Sequence, residues 1–186
     1  MASDELSRED RLAAKGLDVS VPHSARIWNY WLGGKDNFLV DRTVGNQLKQ
    51  AYPAIVDLAR TDRQFLGRAV RYLVTEAGVT QFLDIGSGLP AADNTHEVAQ
   101  RANPRSRVVY VDSDPMVLIH AKALLSSAPE GASDYVEADF RDPETLLAAA
   151  AVTLDFTRPV AVMKLPGHRT RIEHQPGVAR CRPALR

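Results

Sequence analysis

The sequence is poor in the residues that build disulfides, metal centres and membrane spans. Its 186 residues include one cysteine, Cys181, which excludes an intrachain disulfide. No group of Cys and His residues has the spacing of a zinc site, so we predict no metal. No stretch approaches the run of about 18 apolar residues that a membrane span needs, and the charged start of the chain is unlike a signal peptide. We therefore expect a soluble, cytoplasmic protein without a membrane partner.

The formal net charge is zero, but the charges are distributed unevenly along the chain. Residues 164–186 contain six basic residues and one acidic residue, which leaves 17 basic and 22 acidic residues in the 163 residues before them. This basic tail lacks the aromatic residues and the periodic pattern expected of a nucleic-acid-binding segment. We therefore favour a solvated tail over a nucleic-acid partner.

Strands and helices alternate through the second half of the chain. The runs QFLDI, RVVYVD, DYVEA and PVAVM predict strands, and the segments around NTHEVAQRA, PMVLIHAKALL and PETLLAAAA predict helices. This alternation is typical of βαβ crossovers and a parallel sheet. A further helix is predicted in TDRQFLGRAVRYLVTEAG, where Thr61 and Gln64 form a capping box, apolar residues from Phe65 to Leu73 have helical spacing, and Gly78 is the stop.

A glycine turn follows the first predicted strand, in FLDIGSGLP, and three interpretations of it compete. The stretch GSGLPA satisfies the dinucleotide pattern G-x-G-x-x-A. However, Pro90 and a predicted helix cap at Asp93 or Asn94 delay the helix whose N-terminal amides would face a pyrophosphate. Asp84, at the strand end, suits a cation such as the ammonium group of S-adenosylmethionine better than a pyrophosphate. The third interpretation is a tight turn without a ligand.

Three acidic strand ends make the chain resemble the class I S-adenosylmethionine-dependent methyltransferases. LDIGSG matches their first motif, and VVYVDSDP places Asp112 24 residues after Gly88. The resemblance implies that Asp112 accepts hydrogen bonds from the ribose, that Asp139 in VEADFRDP accepts one from the adenine amino group, and that Phe140 packs on the ring. It implies a cofactor site at Asp84, Gly86, Ser87, Gly88, Asp112, Ser113, Asp139, Phe140 and Tyr30.

Several of these positions also have a plainer interpretation. Asp114 and Asp142 precede prolines at first helical positions and are predicted as N-caps. Asp112 and Asp139 could be loop acids without a ligand, and Met116 is predicted as a core residue. His96 and Glu97 are predicted as ordinary surface or helix-face residues, because neither has a partner at metal or triad spacing.

The aromatic stretch ARIWNYWLGGKDNF is similar to the N-terminal signature of a bacterial S-adenosyl methyltransferase family. The resemblance implies a lid over the cofactor, with candidate contacts at Arg26, Asn29, Tyr30, Lys35 and Asp36. An N-terminal helix that packs on the sheet and stops at its glycines is the alternative. We predict a disordered segment at 1–20, an N-terminal helical lid region at 21–78, a partial S-adenosylmethionine-binding Rossmann-like domain at 79–163 and an irregular basic tail at 164–186.

The predicted function is methyl transfer from S-adenosylmethionine to a small-molecule acceptor that the sequence does not identify. No residue is predicted as the catalytic base. The alternatives are a non-catalytic protein that binds S-adenosylmethionine or S-adenosylhomocysteine, an inactive family fragment and, less favoured, an NAD(P)-dependent oxidoreductase.

The chain changes character after RPVAVM, where the proline- and arginine-rich tail has neither helical nor strand periodicity. We predict an α/β sheet with strand order 3-2-1-4 that lacks the later strands. The tail composition is that of a reading-frame shift, and a genuine basic tail with its own partner is the alternative. The fourth strand would then be an exposed edge that permits self-association, and transferase activity would be impaired.

Overall fold

The computed structural model describes residues 18–124 and 127–164. In this part of the chain, three consecutive helices are followed by four strands that alternate with three further helices. In chain order they are α1 (Ser24–Trp31), α2 (Leu39–Ala51), α3 (Ile55–Thr75), β1 (Gln81–Ile85), α4 (Thr95–Ala102), β2 (Arg107–Asp112), α5 (Pro115–Leu124), β3 (Ala132–Glu137), α6 (Pro143–Ala150) and β4 (Ala161–Met163).

The four strands form one parallel sheet in the order β3-β2-β1-β4, which confirms the predicted fold class and strand order. β1 and β2 have the bounds predicted from the sequence. β3 begins two residues earlier than predicted and ends one residue earlier. β4 is shorter than the predicted PVAVM, beginning at Ala161, and Pro159 has no N–H to donate to a strand ladder.

Helices cover both faces of the sheet. On one face, Leu66, Val70 and Val74 of α3 and Val98 of α4 pack in one buried cluster with Phe82 of β1. On the other face, residues of α6 cluster with Leu83 of β1 and with Val109 and Val111 of β2. Because successive strand residues point to opposite faces, β1 and β2 are apolar on both sides, as expected for buried parallel strands.

The predicted start of the helix before β1 is wrong. Thr61, predicted as its N-cap, lies inside α3, which begins at Ile55. Ala59 of the additional turns is fully buried against α1, so this part of the helix depends on tertiary contacts that are not evident from local periodicity. Phe65, expected on the apolar face, is 51% exposed. Gly78 has a φ of +68° just after the helix, which fits its predicted role as the stop.

The aromatic stretch forms α1 and packs on α2 and α3. The indole N–H of Trp31 donates to the carbonyl oxygen of Gly45 on α2 at 3.2 Å. Trp31 also packs edge to face with Trp28, with ring centroids 5.8 Å apart. Residues 1–17 of the predicted disordered segment lie outside the described residues, whereas Val19 packs against Phe38 and Met116. Residues 165–186 of the predicted tail also lie outside them.

At the far edge of the described sheet, β4 pairs with β1, and Val162 is 62% exposed. Self-association through this edge stays a prediction. Within the described residues, none of the helices combines the length and apolar character required to cross a membrane.

Two glycines provide a matched test of this packing. A methyl carbon on Gly131 would lie 2.6 Å from the carbonyl oxygen of Pro104, whereas one on Gly67 inside α3 would meet nothing within 4 Å. We expect Gly131→Ala to lower the free energy of unfolding by about 1–3 kcal/mol through overpacking. Gly67→Ala should raise it by about 0.5–1 kcal/mol, since alanine loses less backbone entropy in a helix. Urea denaturation measures both, and equal effects of the two substitutions would contradict the structure.

Candidate functional site

The candidate site lies at the carboxyl ends of β1 and β2, where open parallel sheets bind their ligands. The turn between β1 and α4 crosses this edge with Gly86 and Gly88 at φ values of +73° and +67°, which favour glycine. The backbone N–H groups of Gly86 and Ser87 donate to the carbonyl oxygen of Val111 at 2.7 and 3.3 Å. The turn is therefore attached to the end of the neighbouring strand.

Asp84 presents a buried carboxylate at the end of β1. The residue has 8% exposure, and its Oδ2 accepts a hydrogen bond of 2.6 Å from the hydroxyl of Thr95. Thr95 is the first residue of α4 and is itself buried. Thr95 was not identified from the sequence, although its place directly after the predicted cap Asn94 was a usable signal. The start of α4 thus fixes the Asp84 carboxylate.

Asp112 connects the end of β2 to the glycine turn. Its Oδ2 accepts the backbone N–H of Gly88 at 2.9 Å, and its Oδ1 accepts that of Asp114 at 3.0 Å. Asp112 therefore fixes the glycine turn and the start of the next helix to the end of β2.

Two cavities flank the turn, and Gly86 borders both of them. The first, of about 280 Å³, lies between the turn, α1 and α3. The second, of about 50 Å³, lies at the ends of β1 and β2. The first is lined by Ala25, Trp28, Asn29, Leu32–Asp36, Asp62, Arg63, Leu66, Asp84 and Gly86–Ala92, and the second by His23, Ser24, Ile85, Gly86, Val111–Ser113, Ala138, Phe140 and Lys164.

Seven of the nine predicted cofactor contacts border these cavities. Asp84, Ser87 and Gly88 line the first, and Asp112, Ser113 and Phe140 line the second, with Gly86 common to both. These positions come together because parallel strands end at one edge of the sheet.

The other two predicted contacts, Asp139 and Tyr30, are not among the lining residues. Hydrogen bonds from Arg141 to the Asp139 carboxylate, the shortest at 2.6 Å, lower its pKa to about 2. The Tyr30 hydroxyl donates to Asn46 Oδ1 at 2.9 Å on α2. Cofactor contact by either residue stays a prediction that this geometry does not support.

Of the other candidate lid residues, Asn29, Lys35 and Asp36 line the first cavity. Asn29 Oδ1 accepts hydrogen bonds from the Asp36 backbone N–H at 3.0 Å and from Asn37 Nδ2 at 2.9 Å. A methyl group on Gly34 would collide with the Asn29 side chain. Asn29 thus holds the segment after α1 against the cavity.

Arg26 has a structural role instead. Its buried guanidinium pairs with the fully buried Asp41, with Nε 3.1 Å from the carboxylate. It also donates to the carbonyl oxygens of Asp18 and Val21 and lies over the ring of Phe38, 5.3 Å from the centroid. Arg26 therefore joins the N-terminal segment to α2, and it does not border either cavity described above.

His96 lies on the buried face of α4, with 2% exposure, and not at the surface. Its Nδ1 is 2.8 Å from the hydroxyl of Tyr110, which also accepts the His96 backbone N–H at 2.8 Å. Burial, together with the charge of Asp84, raises the pKa of Tyr110. His96 is therefore a hydrogen-bonded core residue beneath the site.

Tyr135 connects this core to the glycine turn and was missed in the sequence. Its ring stacks on Tyr110, its register partner across β2 and β3, with centroids 5.6 Å apart. Its hydroxyl is hydrogen-bonded to the Ser87 hydroxyl and donates to the Gly88 carbonyl oxygen at 3.3 Å. Burial raises the pKa of Tyr135, so the phenol stays protonated and supports the turn. The strand register, which links the two tyrosines, is not evident from the sequence.

The remaining assignments agree with the structure. Asp114 and Asp142 cap α5 and α6 by accepting the N–H groups of Met116 and Thr145. Burial raises the pKa of Asp114, but the hydrogen bond and charge of His23, whose Nδ1 is 2.9 Å from Asp114 Oδ2, more than offset this and leave the pKa lowered. Met116 is a core residue, with 1% exposure.

The parallel sheet, its glycine turn and the two acidic strand ends define an α/β protein of the nucleotide-binding type. Residues 10–166 match the family model described as S-adenosyl methyltransferase. The chain therefore belongs to this family, whose methyl donor is S-adenosylmethionine. This match confirms the family and the cofactor that were predicted from the sequence.

Two solved structures resemble the chain. A DUF574 family protein from Streptomyces avermitilis MA-4680 is 49% identical, with a TM-score of 0.76 over 78% of this chain and 56% of that one. A candidate methyltransferase from Thermobifida fusca YX is 50% identical, with a TM-score of 0.73 over 79% of this chain and 55% of that one. The chain thus spans little more than half the length of either structure. No curated protein matches it.

The buried pair of Arg26 and Asp41 can be tested by removing one charge. Asp41→Ala should lower the free energy of unfolding by about 3–5 kcal/mol, because the Arg26 charge stays buried without its partner. Asp57→Ala is the matched control, since Asp57 pairs with Arg60 at the surface and should change stability by less than about 1 kcal/mol. Denaturant titration measures both, and an Asp41→Ala variant as stable as the control would contradict this role.

Proposed function

We propose that S-adenosylmethionine binds across the glycine turn, with its methionyl group in the first cavity and its adenosyl group in the second. The observation that carries the proposal is the pair of carboxylates on either side of this turn, Asp84 facing one cavity and Asp112 the other. The first cavity is slightly below the roughly 300–1,000 Å³ of ordinary small-molecule sites. A ligand that occupies both cavities, which meet at Gly86, fits this arrangement.

The side chains of the two cavities match the two halves of the cofactor. Asp84 supplies a negative charge for the ammonium group, and its burial strengthens that interaction. Asp112 supplies acceptors for ribose hydroxyls. Ile85, Val111 and Phe140 supply apolar surface around the second cavity, which suits an adenine ring.

The position of α4 argues against a dinucleotide cofactor. The helix begins at Thr95, seven residues after Gly88, with Leu89–Asn94 between them. The N-terminal amides of the helix therefore do not follow directly from the glycine turn, as they do where a pyrophosphate binds. The buried carboxylate of Asp84 would also repel a pyrophosphate.

The proposed activity is methyl transfer to a small nucleophilic acceptor. S-adenosylmethionine supplies a methyl group activated by its sulfonium. In this proposal the residues of the chain orient the donor, and α1 and residues 33–36, which line the first cavity, exclude water once the cofactor is bound. Positioning and desolvation of this kind can supply most of the rate enhancement of a direct transfer. Binding without transfer is the alternative, and it predicts that no acceptor is methylated.

Removing the two carboxylates tests the position of the site. Asp84→Ala and Asp112→Ala should each weaken S-adenosylmethionine binding by about 1–3 kcal/mol, the value of a charge-assisted hydrogen bond. Asp57→Ala, which removes an exposed carboxylate that lines neither cavity, should bind as the parent does. Isothermal titration calorimetry measures all three. Parental affinity in both site variants would show that the site is misplaced, and binding of NAD without S-adenosylmethionine would reject the function.

Truncation tests the lid. Removing residues 1–17, a terminal segment in which seven of 17 residues are charged, should leave the affinity for S-adenosylmethionine nearly unchanged. Removing residues 1–38 deletes α1, Lys35 and Asp36 and should abolish binding. Because the longer deletion could unfold the chain, Asn29→Ala provides a second variant that should weaken binding while cooperative thermal unfolding is retained. Equal affinity in the parent, the longer deletion and Asn29→Ala would refute the lid.

A further inference from the structure

Arg63 on α3 borders the first cavity together with Asp84. Its Nη2 donates to the carbonyl oxygens of Ala92 and Asp93 at 2.9 and 3.3 Å. A guanidinium has five N–H donors, and those on Nε and Nη1 have no hydrogen-bond partner within residues 18–124 and 127–164. The loop after the glycine turn therefore anchors one end of the guanidinium and leaves its other donors for a ligand.

The charges around the first cavity show why the positive charge of Arg63 is important for binding a carboxylate there. Asp36, Asp62 and Asp84 border the cavity, and Lys35 and Arg63 are the cations among its lining residues. A bound carboxylate would be repelled by the aspartates unless a cation faced it. Lys35 is exposed, whereas Arg63 is half-buried and anchored to the loop.

The charges of Arg63 and Asp84 also act in opposite directions on one buried group, the Tyr110 hydroxyl. Besides the dominant effect of burial, the charge of Asp84 raises the pKa of Tyr110 and the charge of Arg63 lowers it. Arg63 and Asp84, which line the same cavity, therefore present opposite charges to it. An α-amino acid group, with its ammonium and its carboxylate, is the ligand that complements such a pair.

We infer that Arg63 binds the carboxylate of the methionyl group while Asp84 binds its ammonium, so that the first cavity recognises an amino-acid zwitterion. A planar guanidinium suits this role, because it can donate two parallel hydrogen bonds to one carboxylate. The inference rests on the proposed binding of S-adenosylmethionine and assigns a ligand group to a residue outside the predicted site.

Three thioether ligands allow the contribution of the carboxylate to binding to be measured separately from that of the rest of the cofactor. S-adenosylhomocysteine has both the ammonium and the carboxylate, its decarboxylated analogue has the ammonium alone, and methylthioadenosine has neither. Calorimetry with the full 186-residue chain should show that Arg63→Met weakens S-adenosylhomocysteine binding by about ten- to hundredfold. The affinity of the Arg63→Met variant for the decarboxylated analogue and for methylthioadenosine should change by less than about threefold, which is the usual size of the effect of a substitution that removes no specific contact.

The calorimetry experiment includes three further variants, namely Arg63→Lys, Lys35→Met and Arg68→Met. Arg63→Lys keeps the charge without the planar fork and should lose less affinity for S-adenosylhomocysteine than Arg63→Met. Arg68→Met removes an exposed arginine of the same helix that lines neither cavity, so it should bind all three ligands as the parent does. Circular dichroism with thermal unfolding confirms that each variant is folded.

A loss confined to the ligand with a carboxylate supports the inference. An equal loss for all three ligands would show that Arg63 only positions the loop through Ala92 and Asp93, and would overturn it. A loss confined to the carboxylate in Lys35→Met but not in Arg63→Met would assign the carboxylate to Lys35 and also overturn it. If the parent chain binds none of the three ligands, the proposed function itself fails, and the inference fails with it.

Discussion

The hydrogen bonds between the glycine turn and the end of β2 hold the candidate site together. The N–H groups of Gly86 and Ser87 donate to Val111, and that of Gly88 donates to the Asp112 carboxylate. These bonds exist because β1 and β2 are parallel neighbours that end at the same edge of the sheet. Without them the turn would not bring Asp84 and Asp112 to its two sides, and the two cavities would not meet at Gly86.

A second constraint acts on the segment that borders the first cavity. Asp41 neutralises the buried charge of Arg26, which would otherwise be strongly destabilising, so the pair depends on the mutual placement of α1 and α2. Asn29 then holds the chain after α1 through hydrogen bonds to Asp36 and Asn37. The lid proposed here is thus a packed part of the fold, and its side chains reach the cavity from fixed positions.

Much of the sheet could be predicted because its strands are buried on both faces. Continuous apolar runs such as RVVYVD are typical of central parallel strands, and Asp84 is conspicuous because it interrupts one. The helix before β1 shows where this reasoning fails. Its first turns, including Ala59, are stabilised by contact with α1 and not by their own periodicity, so the cap predicted at Thr61 is wrong.

The sequence by itself determined the parallel α/β class, the glycine turn and the acidic strand ends, which follow from local patterns and chain-connection rules. It gave the strand order only through the resemblance to the class I methyltransferases. Only the tertiary structure decided which side chains share a cavity. Arg26 and Tyr30 are neighbours of Asn29 in the chain, yet they turn to α2 while Asn29 faces the cavity. Arg63 lies 21 residues before Asp84 and borders the same space. Which side chains line the cavity depends on the packing of one helix on another, because this packing brings together residues that are distant in the sequence. The spacing of apolar residues within either helix does not reveal it.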